Sequence, residues 1–573
     1  MSKVYRINTK EQAVSCELLK DEYKSFGNRG LVAKFMMDEV DPQCDPLGAD
    51  NKLIFATGLF AGTQVSTANR LSVGGKSPLT GGIKEANVGG NVGYFLAQHN
   101  IKMIVIEDLP ADDSWKILKI GKDGELEILP GDDYVNLNTY AVTKKAFETY
   151  GEKIAVLCIG PAGEKQQLIS TLQCTETGTG HPSRAAARGG LGAVAGSKKI
   201  KAIIIEKSDK KAEISYVDKQ KFDAARKRMN QTILAEDNKI AGTFKKMGTI
   251  VNAMGMNPQG IMPVYNFRAT GFEPEKMANC DIKTWLTKAA MNGGKNGISC
   301  QPGCLVQCSN CYHDDAGEYV TSGFEYETYA LCGPNCGIDD LDTMCRMDRL
   351  CDEYGLDTID TGAAIALCME AGKLEWGDGA GALNLIHGII EGTELGIVMA
   401  QGAEQTGKYL GLTRIPTVKG QAMAGYDPRN LKGLGVTYAT SPMGADHTAG
   451  LTMGPSPEAN QSKEGQVAAS AQVQNFSAIA DNCMCLFCLQ AIATDLPVLG
   501  ELMAGLYGED WNFNRLGGIA AQTLQMERQF NKAAGLTSED DRIPDFFYTE
   551  PSPLTGAVFD ITPEEMDVIN AES

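Results

Sequence analysis

The sequence predicts an α+β protein in which a β-rich segment, residues 1–208, is followed by two mainly helical ones, residues 209–412 and 413–573. Three observations carry that prediction. Before residue 208, short β-branched apolar runs recur between glycine-rich or polar stretches, which is the pattern of buried strands. After Lys210-Lys211 the apolar spacing becomes helical, and it stays so through most of the remaining chain. A turn-rich stretch near 410–420, followed by Tyr426-Asp427-Pro428-Arg429, marks the second boundary.

The four clearest strand candidates are Leu53-Ile-Phe-Ala-Thr57, Met103-Ile-Val-Ile-Glu107, Ile154-Ala-Val-Leu-Cys-Ile159 and Lys201-Ala-Ile-Ile-Ile-Glu206. Between them lie three stretches that read as glycine-rich loops. The first runs from Arg70 through Gly74-Gly75-Lys76-Ser77 to Gly82, the second is Asn87-Val88-Gly89-Gly90-Asn91, and the third is Gly180-His-Pro-Ser-Arg184-Ala185 through Arg188-Gly189-Gly190. Glycine lets backbone N–H groups approach an anion closely, and arginine adds charge and paired donors. Together they point to a phosphate-bearing ligand; tight turns of a β domain are the plainer alternative. None is a dinucleotide-binding or Walker A fingerprint, because the glycine spacing after a strand is wrong.

With 53 basic and 72 acidic residues the net charge is −19, which opposes binding to nucleic acid or to an anionic membrane surface. The first residues show no signal-peptide core, and no apolar run reaches the roughly 18 residues of a membrane span. Seventeen cysteines, unevenly spread, indicate a reducing, cytoplasmic setting and metal ligation rather than disulfides.

The densest group is Cys300-Gln-Pro-Gly-Cys304-Leu-Val-Gln-Cys308-Ser-Asn-Cys311. Soft thiolates at such intervals suit an iron–sulfur cluster, with a further ligand available from Cys483, Cys485 or Cys488. Zinc fits less well, since only His313 is near. The spacing of Cys304, Cys308 and Cys311 also matches radical S-adenosylmethionine enzymes, although Asn310 stands where those usually carry an aromatic residue.

Further on, Asp339-Asp340 opens a helix with the stripe Leu341, Met344, Cys345, Leu350 and Cys351, which Gly355 should close. Asp352 then falls in the last turn, where the helix dipole disfavours a carboxylate. The corner Asp352 to Thr358 therefore reads as a binding site for a donor-rich ligand edge. His447 lies in a polar, glycine-flanked loop and is an acid/base candidate among only five histidines. Asp481 precedes the second cysteine group in the same manner as Asp352 precedes its corner.

Taken in order, Asn28-Arg29-Gly30-Leu31, Lys76-Ser77-Pro78-Leu79-Thr80-Gly81, Ile159-Gly-Pro-Ala-Gly163, Arg184-Ala-Ala-Ala-Arg188-Gly-Gly, Glu325-Tyr326-Glu327, Gly355-Leu356-Asp357-Thr358, Tyr426-Asp427-Pro428-Arg429 and Cys485-Leu486-Phe487 resemble the aldehyde:ferredoxin oxidoreductase family over nearly the whole chain. That resemblance implies a tungsten bis-pyranopterin between the β-rich domain and the two helical ones, beside a [4Fe–4S] cluster held by Cys300, Cys304, Cys308 and Cys485. It implies phosphate contacts at Arg70 and Arg184, a loop approach at Gly89 and Gly90, and magnesium near Asn87 and the Ala185 carbonyl. Asp352, Leu356 and Asp357 would hold one pterin and Asp481 the other, and Glu327 and His447 would be the catalytic acid/base pair. The implied activity is oxidation of a small aldehyde, with electrons passed to a ferredoxin or an iron–sulfur subunit, in a possible hetero-oligomer. A reductase of an aromatic acyl-coenzyme A is the alternative within the family. The chain departs from the family pattern in the C-x3-C spacing of its first two cysteines, in a second Asp motif one residue shorter, and in Arg346 where one branch has an iron-binding glutamate.

Overall fold

The computed structural model describes residues 2–571. Its N-terminal part is built on two six-stranded sheets. The first has the spatial order Ala13–Leu18, Lys3–Asn8, Ile101–Glu107, Leu53–Thr57, Leu71–Lys76, Ile83–Val88. The second runs Arg184–Ala186, Leu172–Cys174, Ile154–Ile159, Ile200–Glu206, Lys116–Ile120, Leu126–Pro130. All neighbours are antiparallel except Lys3–Asn8 with Ile101–Glu107 and Ile200–Glu206 with Lys116–Ile120. Inward residues of both sheets, including Tyr5, Phe55, Ile104, Leu157 and Ile203, share one core. The four runs expected as strands are all strands.

The first of the expected loops is corrected. Gly74, Gly75 and Lys76 lie inside the strand Leu71–Lys76, paired with Ile83–Val88, and Asn87 lies inside that second strand. Glycine is needed at 75 because a Cβ there would come 2.6 Å from the Lys52 carbonyl oxygen. Lys76 Nζ donates to the carbonyls of Pro42 and Cys44 at 2.6 and 2.7 Å, so its charge anchors a neighbouring loop rather than an anion.

The rest of the described chain is mainly helical, with three short two- or three-stranded sheets. The helix Leu341–Tyr354 begins at Asp340, whose side chain accepts from Thr343 N, and ends at Gly355 in the left-handed conformation (φ 72°), both as expected. Two large cores cut across the linear order. Residues 250–403 pack with residues 418–445 and 543–566, whereas Phe222 to Phe244 pack with residues 478–530 and with the helix Asn28–Glu39. No helix among the described residues is long and apolar enough to cross a membrane.

Candidate functional site

The two cysteine groups meet. The neighbouring Cys304 thiol, with Arg184 and Arg70 close by, brings the Cys300 thiol down to about 7 although burial opposes it. Burial pushes Cys308 up, as do Glu325, Cys300 and Cys485. Cys485 is likewise raised by burial, while Arg70 opposes and Cys300 adds to the shift. Four thiols from two segments nearly two hundred residues apart thus share one electrostatic environment. Cys483 and Cys488 are turned elsewhere: Cys483 lies by Lys102, and Cys488 Sγ donates to Ser66 O at 3.6 Å. No three histidine, cysteine or acidic side chains among the described residues converge closely enough for a single metal ion. A cube of four irons holds its thiolates further apart than one ion does.

The radical S-adenosylmethionine alternative is not supported by this arrangement. Cys311 lies in the strand Ser309–His313 with its Sγ 3.9 Å from His313 Nδ1. Burial raises it to about 11, Glu176 adds and Lys295 opposes, and no other thiol contributes.

The basic loops border the thiols. Arg70 donates through Nε to Asn87 Oδ1 and, at 2.8 Å, to the Asn87 carbonyl. A Cβ on Gly89 would lie 3.1 Å from Cys300 Sγ and 3.5 Å from Arg70 Nη1, so the missing side chain is what lets this strand end approach the thiols. Gly90 has φ 100° and packs its backbone on Cys174 and Thr175. Arg184 is held by two carboxylates, Glu176 at 2.9 Å and Glu325 at 2.7 Å, and also by Ser309. Ala185 pairs with Gln173 in the adjacent strand.

The Asp352 corner is assembled as a turn between two helices. Asp352 is buried, its carbonyl accepts from Thr139 Oγ1 at 2.7 Å, and its Oδ2 has no hydrogen-bond partner among the described residues. Burial and then Asp348 push it well above the usual carboxylate range. Leu356 bridges to Ser170, and Asp357 caps the helix Thr358–Glu370 while accepting from Arg188 Nε at 3.3 Å. Asp481, in the helix Gln466–Cys483, accepts from Arg29 Nη1 at 3.0 Å. Burial raises it and Arg29 opposes. An orphaned carboxylate oxygen at Asp352, the Gly89 cradle and the Arg70 guanidinium beside it are the features a donor-rich heterocycle with a phosphate tail would engage.

Glu327 and His447 come together from the helix Tyr326–Cys332 and a distant loop. Glu327 Oε1 lies 3.0 Å from His447 Nε2 and accepts from Tyr426 OH, also at 3.0 Å. Burial alone would raise Glu327, but the His447 charge and the hydrogen bonds from His447 and Tyr426 lower it. Burial alone would lower His447, but Glu327 and then Asp446 raise it. The aromatic rings of Tyr426 and Tyr326 stand 5.7 Å from His447 and 5.2 Å from Tyr426 respectively. Tyr438 is fully buried with its hydroxyl unpartnered among the described residues, near enough to Glu327 to feel its charge.

Sequence reasoning passed over Tyr438 and Lys84, and it read Arg188 only as part of an anion loop. Arg188 in fact spans Asp357, Asp360 and the carbonyls of Ala422 and Ala445. Nothing in local spacing marks these residues, because their partners lie on other elements.

The family model described as the N-terminal domain of aldehyde ferredoxin oxidoreductase matches residues 4–207, and the one described as its domains 2 and 3 matches residues 225–568. The tungsten-containing aldehyde ferredoxin oxidoreductase of Pyrococcus furiosus is 31% identical over 96% of this chain and 91% of its own length. The protein of the same name from Thermococcus kodakarensis shows the same identity and coverage. Among solved structures, the active site complex BamBC of benzoyl coenzyme A reductase, in complex with 1,5-dienoyl-CoA, shares the fold with a TM-score of 0.80 at 16% identity, over 99% of this chain and 93% of that one. With both family models covering the chain almost end to end, and with relatives of that name matched over 96% of it, this protein belongs to the aldehyde ferredoxin oxidoreductase family and is an oxidoreductase.

Proposed function

We propose that the protein oxidises an aldehyde, R–CHO + H2O → R–COOH + 2 H+ + 2 e−, in a tungsten-dependent reaction. The observation that carries this reading is the 3.0 Å contact of Glu327 with His447, because aldehyde hydration and oxidation need one group to take a proton and another to give one. When bound, a tungsten bis-pyranopterin supplies the two-electron acceptor, and a [4Fe–4S] cluster on Cys300, Cys304, Cys308 and Cys485 supplies a one-electron outlet toward a ferredoxin-like acceptor or partner subunit. Asp352, Leu356 and Asp357 would hold one pterin and Asp481 the other. Arg70, Gly89, Gly90 and Arg184 would border the phosphates, and Asn87 and the Ala185 carbonyl would hold the magnesium. The cofactor would lie among residues 1–208, 209–412 and 413–573, in a cytoplasmic protein.

Glu327 is the base: its Oε1 accepts the proton of the attacking water or of the aldehyde hydrate. His447 is the acid: its Nε2–H, which faces Glu327 in the absence of substrate, would pass to the carbonyl oxygen as negative charge builds there. Tyr426 holds Glu327 in place through its hydroxyl, and its ring lies 5.7 Å from that of His447.

Protein made anaerobically with tungstate should contain about one W and four Fe per chain and reduce viologen dye with an aldehyde. Glu327→Gln should keep both metals and lose about 100-fold or more in kcat. Iron without tungsten, or a fully active Glu327→Gln, sinks the proposal. Turnover of an aromatic acyl-coenzyme A in the reductive direction, with none on aldehydes, would replace it by the alternative within the family.

A further inference from the structure

The His447 imidazole has a carboxylate at each of its two nitrogens. Nε2 lies 3.0 Å from Glu327 Oε1, and Nδ1 lies 4.0 Å from Asp446 Oδ1. Nδ1 is buried and has no hydrogen-bond partner among the described residues. Asp446 is not free to turn away. Its Oδ1 accepts from Thr448 N at 3.0 Å and from Thr448 Oγ1 at 2.7 Å, and its Oδ2 accepts from Lys84 Nζ at 3.2 Å. Lys84 also donates to the Met443 carbonyl at 3.1 Å, and Arg188 to the Ala445 carbonyl at 2.5 Å. Two buried cations from the N-terminal part of the chain therefore secure both the loop and the carboxylate beside His447.

The charges facing this ring come from four elements: Glu327 from its helix, Asp446 from the ring's own loop, Lys84 from the strand Ile83–Val88, and Arg188 from the loop after Arg184–Ala186. Tyr426 and Tyr438 are its uncharged titratable neighbours, both with phenols raised first by burial. Burial would raise Asp446, but Lys84, Arg188 and His447 hold it well below the usual carboxylate range. A neutral imidazole has a single N–H; only an imidazolium carries one proton on Nε2 toward Glu327 and a second on Nδ1 toward the Asp446 charge, which at 4.0 Å acts through charge rather than through a hydrogen bond.

We propose that Asp446 is the positioning residue of His447: its carboxylate, from the Nδ1 side, holds the ring as an imidazolium whose Nε2–H points at Glu327 and the incoming carbonyl oxygen. In the donating step the Nε2–H bond breaks and an O–H bond forms on the substrate. The proton that remains is on Nδ1, facing Asp446, so Nε2 is left as the basic nitrogen that takes up the next proton from solvent. This inference rests on the reading of His447 as the proton donor, yet its test does not depend on turnover.

The test uses oxidised holoenzyme labelled with 15N-histidine, in which five histidines give few signals. The His447 pair is assigned by its disappearance in His447→Asn. At pH 6.5 both ring nitrogens should carry protons. In Asp446→Asn the titration midpoint should fall by about one unit, Asp446→Glu should restore part of it, and the alkaline limb of kcat/KM should move down with the midpoint. A neutral, singly protonated His447 in the wild type overturns the proposal, as does an unchanged midpoint in a folded Asp446→Asn. Should that variant not fold, the wild-type nitrogen shifts decide alone. A doubly protonated, Asp446-dependent His447 in a protein without aldehyde activity would sink the functional reading and leave this one standing.

Discussion

The charge state of the Glu327–His447 pair sets a pH window that can be read in stability as well as in rate. Glu327 is lowered in the folded protein, so its contribution is present above its unfolded value and is lost as pH falls through the lowered folded one. His447 is raised, so its contribution is complete below about 6.5 and is lost as pH rises through the raised folded value. Denaturant unfolding of the wild type against Glu327→Gln should therefore differ most between about pH 4.5 and 6.5 and converge on both sides. A gap that widens steadily toward alkaline pH would contradict the ion pair. The thiols make a second prediction at the same scale. Cys485→Ser should lower iron to about three per chain or abolish the cluster, while Cys311→Ser, Cys483→Ser and Cys488→Ser should leave it at wild-type content. Iron analysis and the visible absorption of the cluster distinguish the four variants.

Single turns between elements decide where those residues point. Gly355 closes the helix Leu341–Tyr354 at φ 72°, and a Cβ on it would come 3.0 Å from Gly160 N. Gly355→Ala must both strain the left-handed backbone and push the strand end that carries Gly160, so it should cost about 1–2 kcal/mol in thermal or chemical unfolding. Because Leu356 and Asp357 follow directly, the same variant should also lower tungsten content, whereas Gly372→Ala, at a positive φ with open space around it, should cost stability alone. Equal tungsten in both would mean that the turn does not set the corner.

Across the whole molecule the two ends of the chain are tied by a buried ion pair. Arg29, in the helix Asn28–Glu39, donates to Glu527 at 2.8 Å through both Nε and Nη2, and to Asp481 through Nη1. Arg29 is 2% exposed and Glu527 fully buried. Burial pushes down on the Arg29 charge and Glu527 more than restores it. Neutralising Glu527 leaves the buried Arg29 with Asp481 as its one remaining carboxylate partner, so Glu527→Gln should destabilise by about 2–3 kcal/mol, seen as a lower melting temperature. Near wild-type melting would show that the pair is not a joint between the N-terminal sheets and the C-terminal helices.

Some of this was legible in the residues themselves. Continuous apolar runs such as Ile154–Ile159 and cap signals such as Asp340 and Gly355 are local properties, and local physics is enough to read them. Thiol density, Asp352 at a helix end and the net charge likewise named a chemistry before any coordinates. What spacing could not reveal is which groups meet. Cys311 has the right interval but lies against His313, and Gly74-Gly75-Lys76 resembles an anion loop but is a crowded strand. Lys84, Arg188, Tyr438 and Asp446 acquire meaning only through partners hundreds of residues away. Only the tertiary structure decides such pairings, because burial turns distant charges into neighbours and removes the water that would otherwise screen them.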